Sequence, residues 1–113
     1  MKEILISKAP GDNIVTSDQK KRAERMTLTQ LNYIITIAET GSINRAAEQL
    51  YISQPSLTSA VQELEKELGI VLFYRSGRGV TLTGDGAEFL LYARQLYSEY
   101  EGILERYGKN GTR

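Results

Sequence analysis

Apolar residues recur every three or four positions along much of the chain after Thr27, the spacing that places them on one face of a helix. The first such stretch predicts a helix from about Leu28 to Thr40. Thr27 and Gln30 have the spacing of a capping box at its start, and Gly41 suits the left-handed residue that ends it. The apolar positions of this helix are Leu28, Leu31, Ile34, Ile35 and Ala38.

Two further amphipathic helices are predicted directly after the first. Ser42 suits the N-cap of a short second helix, whose apolar positions are Ile43, Ala46, Ala47 and Leu50. A tight turn at Tyr51 and Ile52 leads to a third helix, because Ser53 is again a capping residue and Pro55 falls in the first turn, where its missing N–H costs nothing. This helix ends at Gly69, and its apolar positions are Leu57, Val61, Leu64 and Leu68.

The remaining pattern predicts a small β hairpin and a long last helix. Residues 70–74 and 80–82 are short apolar runs on either side of a loop, residues 75–79, that contains two glycines, which indicates a two-stranded wing. Thr83 then suits the N-cap of a helix that reaches about Tyr107. The predicted fold class is therefore mainly α: a winged helix-turn-helix of three helices and a two-stranded β wing, followed by a long linker helix.

The organisation of the chain follows from these elements. Residues 1–25 are rich in turn-forming and charged residues and lack periodicity, so we expect a flexible N-terminal extension there. The winged helix-turn-helix is predicted at residues 26–83, with the helix-turn-helix motif at about 43–62 and the wing at about 71–82. Residues 84–107 are expected to form the linker helix and residues 108–113 a short tail.

The composition of the 113 residues argues against catalysis and metal binding. Cysteine and histidine are both absent, which removes the thiolate and imidazole groups that serve most often as nucleophile, general base or metal ligand. We therefore predict no enzyme activity, no catalytic residue, no metal site and no cofactor. The apolar run at residues 4–6 is too short for a signal peptide or a membrane span, so a cytoplasmic protein without a membrane partner is expected.

The chemistry of the third helix points to double-stranded DNA as a partner. Its N-terminal half has an uncharged polar face, and the tight turn before it sets it across the second helix. Glutamine amides can both donate to and accept from a base edge, and hydroxyls can bond bases or phosphates. A merely solvated helix face is the competing interpretation. The candidate DNA-binding residues are Gln54, Ser56, Thr58, Ser59 and Gln62.

The arginines of the wing are candidate contacts to the DNA backbone. Arg75 and Arg78 lie on or beside a loop whose glycines let a guanidinium approach phosphate or a narrow minor groove. For Arg75, strand-end packing or an ion pair with Glu63, Glu65 or Glu67 is an equal alternative. The formal net charge is zero for the chain and −1 for residues 27–83, so affinity is expected from individually placed contacts rather than from an overall positive field.

The last helix carries a broad apolar stripe. With no other domain to cover it, the stripe is most simply buried against a second copy of the chain, which predicts a homodimer and a palindromic DNA site. Packing against the first helix of the same chain is the alternative, and both can hold. The candidate dimerisation residues are Phe89, Leu90, Ala93, Leu96, Tyr97, Tyr100, Ile103 and Leu104.

Three segments closely resemble the LysR-type transcriptional regulators: residues 28–31 (LTQL), 39–50 (ETGSINRAAEQL) and 52–58 (ISQPSLT). Segments at 64–70, 72–75 and 82–86 are also similar to that family's helix end, wing and linker-helix start, so the resemblance covers about residues 26–107. It implies a bacterial transcription factor that binds specific DNA sequences. It also implies base and backbone contacts from Gln54, Pro55, Thr58 and Ser59, and a wing-tip arginine at Arg78.

The sequence departs from that family in three ways. Where many members carry an arginine on the recognition helix, this chain has Ser59 followed by Ala60, which leaves the base preference there open. Members begin near the position of Met26, so either Met1 or Met26 is compatible with a start. Members also continue into a larger effector-binding domain, so no small-molecule effector site is expected in these 113 residues. A fragment, a truncated product and a natural short form all fit.

One alternative function stays open beside DNA binding. The fold and its last helix can serve as a protein-interaction module that pairs with another regulator without contacting DNA, and the zero net charge is compatible with that role. Salt separates the two, because DNA binding weakens steeply as salt rises and apolar helix pairing does not.

Overall fold

The computed structural model describes residues 25–108, so all but the last residue of the predicted extension (1–25) and all but the first residue of the predicted tail (108–113) lie outside the described residues. The fold class is the predicted one, a winged helix-turn-helix followed by a long helix. Its elements are α1 (Leu28–Thr40), α2 (Ile43–Leu50), α3 (Gln54–Leu68), β1 (Phe73–Ser76), β2 (Gly79–Leu82) and α4 (Gly84–Tyr107).

Side-chain caps determine where the helices begin. The Thr27 hydroxyl accepts from the N–H of Gln30 at 3.1 Å, while the Gln30 carboxamide oxygen accepts from the N–H of Thr27 at 2.9 Å, a reciprocal capping box. Ser42 and Thr83 each accept from the N–H three residues later. The left-handed glycines at positions 41 and 69 end α1 and α3. These predicted helix starts and ends are confirmed.

Helix α1 is the element around which the others pack, because it contacts α2, α3, α4 and β2. Ala46 and Ala47 of α2 are both buried, and their small side chains let the helices approach closely. Each large side chain buried in this core contributes about 1.5–3 kcal/mol of transfer free energy. The largest fully buried side chains are Leu31, Ile34, Ile37, Leu57, Leu64 and Leu72.

The first strand of the wing differs from the prediction. It begins at Phe73 and extends to Ser76, so the five-residue loop expected at 75–79 is a two-residue turn, Gly77–Arg78. The apolar residues 70–72 form a connecting segment instead. The carbonyl of Leu72 still accepts from the N–H of Thr83 at 3.0 Å, in register with the hairpin, but the N–H of Leu72 donates to the Glu65 carboxylate at 2.7 Å and so is not available to continue the ladder.

The wing is attached to the turn between α1 and α2. The N–H of Val80 donates to the carbonyl of Gly41 at 3.1 Å. Gly79 sits beside this bond with a φ of 134°, and a Cβ there would overlap the Gly41 carbonyl oxygen. A residue without a side chain is therefore required at the base of the wing. The close contact with Gly41 fixes the position of the wing relative to the helices.

Helix α4 leaves the body of the fold after its first ten residues. Gly86, Leu90 and Ala93 are buried, whereas no residue from Arg94 to Tyr107 is. The described part of the molecule is accordingly elongated, at 54 × 42 × 26 Å. Among its helices, none combines the length and the apolar character that crossing a membrane requires.

Candidate nucleic-acid interface

The N-terminal end of α3 is closed by a serine network. The Ser53 hydroxyl oxygen accepts from the N–H of Ser56 at 3.2 Å and donates to the Ser56 hydroxyl at 2.9 Å. Pro55 lies in the first turn, where its lack of an N–H leaves no donor unsatisfied. The remaining amides and the helix dipole favour negative charge at this end, which suits a DNA phosphate.

Helix α3 separates an apolar face from a polar one. Leu57, Val61 and Leu64 are buried against the other helices. The predicted contact residues lie away from this core, with Thr58 half-buried at the boundary and the other five exposed, namely Gln54, Pro55, Ser56, Ser59 and Gln62. The structure therefore leaves the amides and hydroxyls of one continuous surface free to meet base edges and phosphates.

The turn between α2 and α3 sets the direction of α3. The N–H of Ile52 donates to the carbonyl of Ala47 at 3.1 Å, and Tyr51 takes a left-handed conformation with φ 59°. The prediction of a tight turn is confirmed, and the exposed ring of Tyr51 is a surface feature that was not predicted. A signal was available, since a helix that reverses within two residues commonly needs a left-handed residue at its end.

The two wing arginines occupy different places. Arg78 lies in the turn, and its N–H donates to the Ser76 hydroxyl at 3.2 Å. Arg75 lies within β1, paired with Val80 of β2. Both are exposed, and the short turn projects Arg78 at the tip of the hairpin, as the sequence predicted.

Arg75 does not form the alternative ion pair. Over residues 25–108, the ion pair that the structure contains joins Arg94 to Glu39 at 4.0 Å. The carboxylate of Glu65 instead accepts from the N–H of Leu72, and that of Glu67 accepts from the N–H of Met26 at 2.9 Å. The guanidinium of Arg75 therefore has no acidic partner within the described fold, and the alternative of an ion pair with α3 is not observed there.

The apolar stripe of α4 divides into two halves. Leu90 is buried and Phe89 is partly buried in the core that contains Ile34 and Ile37 of α1, and Ala93 is buried as well, so these three candidate dimerisation residues pack within the chain. Their burial favours the alternative of packing within the chain and leaves Leu90 and Ala93 little surface for a second copy. The second half is exposed or half-exposed and contains Leu96, Tyr97, Tyr100, Ile103 and Leu104.

Two tyrosines mark the uncovered half of the stripe. The rings of Tyr97 and Tyr100 are 5.5 Å apart between centroids and tilted by 48°. Partial burial raises the pKa of the Tyr97 phenol, and the negative charge of Glu101 and the proximity of Tyr100 raise it further. The neutral phenol is thus the favoured form on this surface.

The part of the chain that contains α3 and the wing is similar to known proteins. The profile of bacterial regulatory helix-turn-helix proteins of the lysR family matches residues 28–87, which include α3 and the wing. The HTH-type transcriptional regulator ClcR of Pseudomonas putida is 52% identical over 71 residues, which make up 63% of this chain and 24% of ClcR. The chain spans less than a third of the length of the curated relatives it matches.

Solved structures of DNA complexes share the fold. The crystal structure of the CbnR_DBD–DNA complex superposes with a TM-score of 0.67 at 41% identity and covers 78% of this chain and 100% of that chain. The BenM_DBD/benA site 1 DNA complex has a TM-score of 0.67 at 39% identity, with 70% of this chain and 92% of that chain covered. The region made of α1 to α4 therefore corresponds to chains that were crystallised on DNA.

Proposed function

Because the chain belongs to the lysR family of bacterial regulatory helix-turn-helix proteins, we propose that it regulates transcription as a dimer that reads a two-fold symmetric DNA site. The observation that carries the proposal is the uncharged polar face of α3. It is exposed while the opposite face of the helix is buried, so the helix can enter a major groove without disturbing the core.

The residues of this surface divide by the chemistry they offer. The amides of Gln54 and Gln62 match the donor and acceptor pattern of an adenine edge, and Ser59 can bond a base or a phosphate. Ser56, at the N-terminal end of α3, is suited to a phosphate. Thr58 and Pro55 complete the contact surface, Thr58 from the boundary with the core.

The wing supplies the backbone contacts beside the groove. Arg78 at its tip carries a positive charge into a chain whose formal net charge is zero, and Arg75 has no acidic partner in the described residues. Two placed guanidinium groups per copy would replace condensed counterions at the phosphates, which makes binding sensitive to salt.

The dimer is supported by the continuity of the α4 stripe. One helix face carries both the half that is buried within the chain and the half from Leu96 to Leu104 that stays exposed or half-exposed. A second copy that packs on Leu96 and Ile103 would bury that half and set two recognition helices about one two-fold axis. A dimer also compensates for the small number of basic contacts in one copy.

Selection from a randomised duplex pool at two salt concentrations tests the proposal. We expect enrichment of a two-fold symmetric motif that is lost at the higher salt concentration. No enrichment from a folded, dimeric protein would contradict DNA reading and would favour the protein-interaction module.

Sedimentation of α4 variants tests the dimer separately. Leu96→Glu and Ile103→Glu are expected to shift the protein to monomer, because each places a charge on the uncovered stripe. Leu91→Glu is the matched control, since Leu91 is exposed on the opposite side of the helix. A monomeric wild type, or equal dimerisation of all three variants, would contradict the assignment.

A further inference from the structure

Tyr51 occupies a backbone conformation that tyrosine rarely adopts. It ends α2 with φ 59° and ψ 41°, and among residues 25–108 it is the non-glycine residue with a positive φ. Gly41 and Gly69 perform the same task at the ends of α1 and α3. A side chain at such a position carries strain that glycine does not, so a gain outside the backbone is needed to account for the tyrosine.

The fold itself does not account for the ring. Tyr51 is 94% exposed, more than any other large apolar or aromatic residue of the described chain. Within the described residues, Tyr51 forms hydrogen bonds through its backbone N–H, which donates to the carbonyls of Ala47 and Glu48. Glycine would preserve these bonds, and the phenol therefore contributes nothing visible to folding.

The location of Tyr51 indicates a use for the phenol. It lies in the turn before α3, two residues ahead of the N-cap Ser53, and the bond from the N–H of Ile52 to the carbonyl of Ala47 holds that turn rigidly. The adjoining end of α3 carries Gln54 and Ser56 on the proposed reading surface. A residue just outside a helix end that enters the major groove stands at the rim of the groove, where the sugar–phosphate backbone runs.

We propose that the Tyr51 hydroxyl donates a hydrogen bond to a phosphate oxygen of the DNA strand that borders the major groove, and so positions the N-terminal end of α3. This inference rests on the proposed function. A phenol suits the contact because its apolar ring can lie along the backbone sugar while its O–H reaches the phosphate. Tyr51 is a positioning residue, and it carries no base information.

Affinity measurements with Tyr51→Phe test the contact. On the duplex enriched by selection, the dimer loses one hydrogen bond to a charged acceptor in each half-site, which is expected to weaken binding about tenfold per half-site, or about a hundredfold in all. The same factor is expected on duplexes with substituted bases, and the slope of affinity against salt stays unchanged because no charge is removed. Tyr92→Phe, at an exposed tyrosine on α4, is the matched control and is expected to bind as the wild type does.

Tyr51→Gly separates the contact from folding. This variant loses the phenol but relieves the left-handed strain, so its midpoint of thermal unfolding is expected at or above the wild-type value while its DNA affinity falls as in Tyr51→Phe. If the wild type binds its duplex and Tyr51→Phe binds equally well, the inference about Tyr51 is overturned and the proposed function stands. If the folded wild type binds no duplex at all, both are overturned.

Discussion

We expect the replacement of Glu65 by alanine to weaken the attachment of the wing to α3. The Glu65 carboxylate reaches from the last turns of α3 to the segment before β1, where it accepts from the N–H of Leu72 at 2.7 Å and from that of Phe73 at 3.4 Å. Leu72 and Phe73 are themselves buried, so the amides lose their acceptor without ready access to water.

The magnitude follows from the geometry of the two bonds. The bond to Leu72 is short and its acceptor is charged, which corresponds to about 1.5–3 kcal/mol, whereas the longer bond to Phe73 adds little. Glu65→Ala should therefore lower the free energy of unfolding by about 2 kcal/mol, and the thermal midpoint of a domain of this size by about 10 °C. Glu65→Gln retains an acceptor without the charge and should lose about half as much.

Thermal and urea unfolding followed by circular dichroism measure the effect, and hydrogen exchange at the Leu72 amide reports it locally. Glu63→Ala is the control, because Glu63 is exposed on the same helix and should change stability by no more than about 0.5 kcal/mol. The reasoning is refuted if Glu65→Ala unfolds at the same midpoint as Glu63→Ala and the Leu72 amide stays protected.

Three further perturbations test other parts of the fold. Gly79→Ala should lower the free energy of unfolding in denaturant by about 2 kcal/mol or more, because its Cβ overlaps the Gly41 carbonyl. Gly77→Ala, with open space around it, should lower that free energy little. Equal losses in the two variants would contradict the contact between the wing and Gly41. Thr83→Ala should lower the free energy of unfolding by about 1–2 kcal/mol, because it removes the N-cap of α4 and the hydrogen bond to the Val71 carbonyl. Thr83→Ser keeps the hydroxyl and should retain most of that stability. Because the pKa of Tyr97 is raised in the folded state, the unfolded chain releases its proton first, near pH 10.0, and stability should fall as the pH rises above that value. Tyr97→Phe should reduce this loss of stability, which urea unfolding at pH 9 and at pH 11 measures. The prediction is wrong if the urea midpoint falls by the same amount between the two pH values in the wild type and in Tyr97→Phe.

Local chemistry explains why the helices could be predicted. Thr27, Ser42, Ser53 and Thr83 cap the N–H groups of residues that follow within three positions, so the signal lies within a few residues of sequence. The polar face of α3 was likewise predictable, because helical periodicity assigns each residue to one side. The helix bounds and the exposure of the candidate surface were therefore predictable from the sequence.

The remaining features depend on contacts distant in sequence. The run at residues 70–72 has the composition of a strand, but the Glu65 carboxylate takes the N–H of Leu72 that a longer strand would use. Helical periodicity predicts that Leu90, Ala93 and Leu96 lie on one stripe of α4, but it does not show that the stripe is buried at Leu90 and Ala93 and exposed at Leu96. Tyr51 is a local exception: the tight turn indicates a left-handed residue there, but glycine and asparagine are the residues that usually adopt that conformation.

The ratio of affinities for the selected duplex and for a scrambled duplex tests the central claim, that the polar face of α3 reads base sequence. Gln54→Ala is compared with Gln95→Ala, an equivalent change at an exposed glutamine of α4. We expect the ratio to fall about tenfold or more for Gln54→Ala, because one bidentate base contact discriminates by about 1–3 kcal/mol, and to stay at the wild-type value for Gln95→Ala. Equal ratios for the wild type and both variants would contradict the claim.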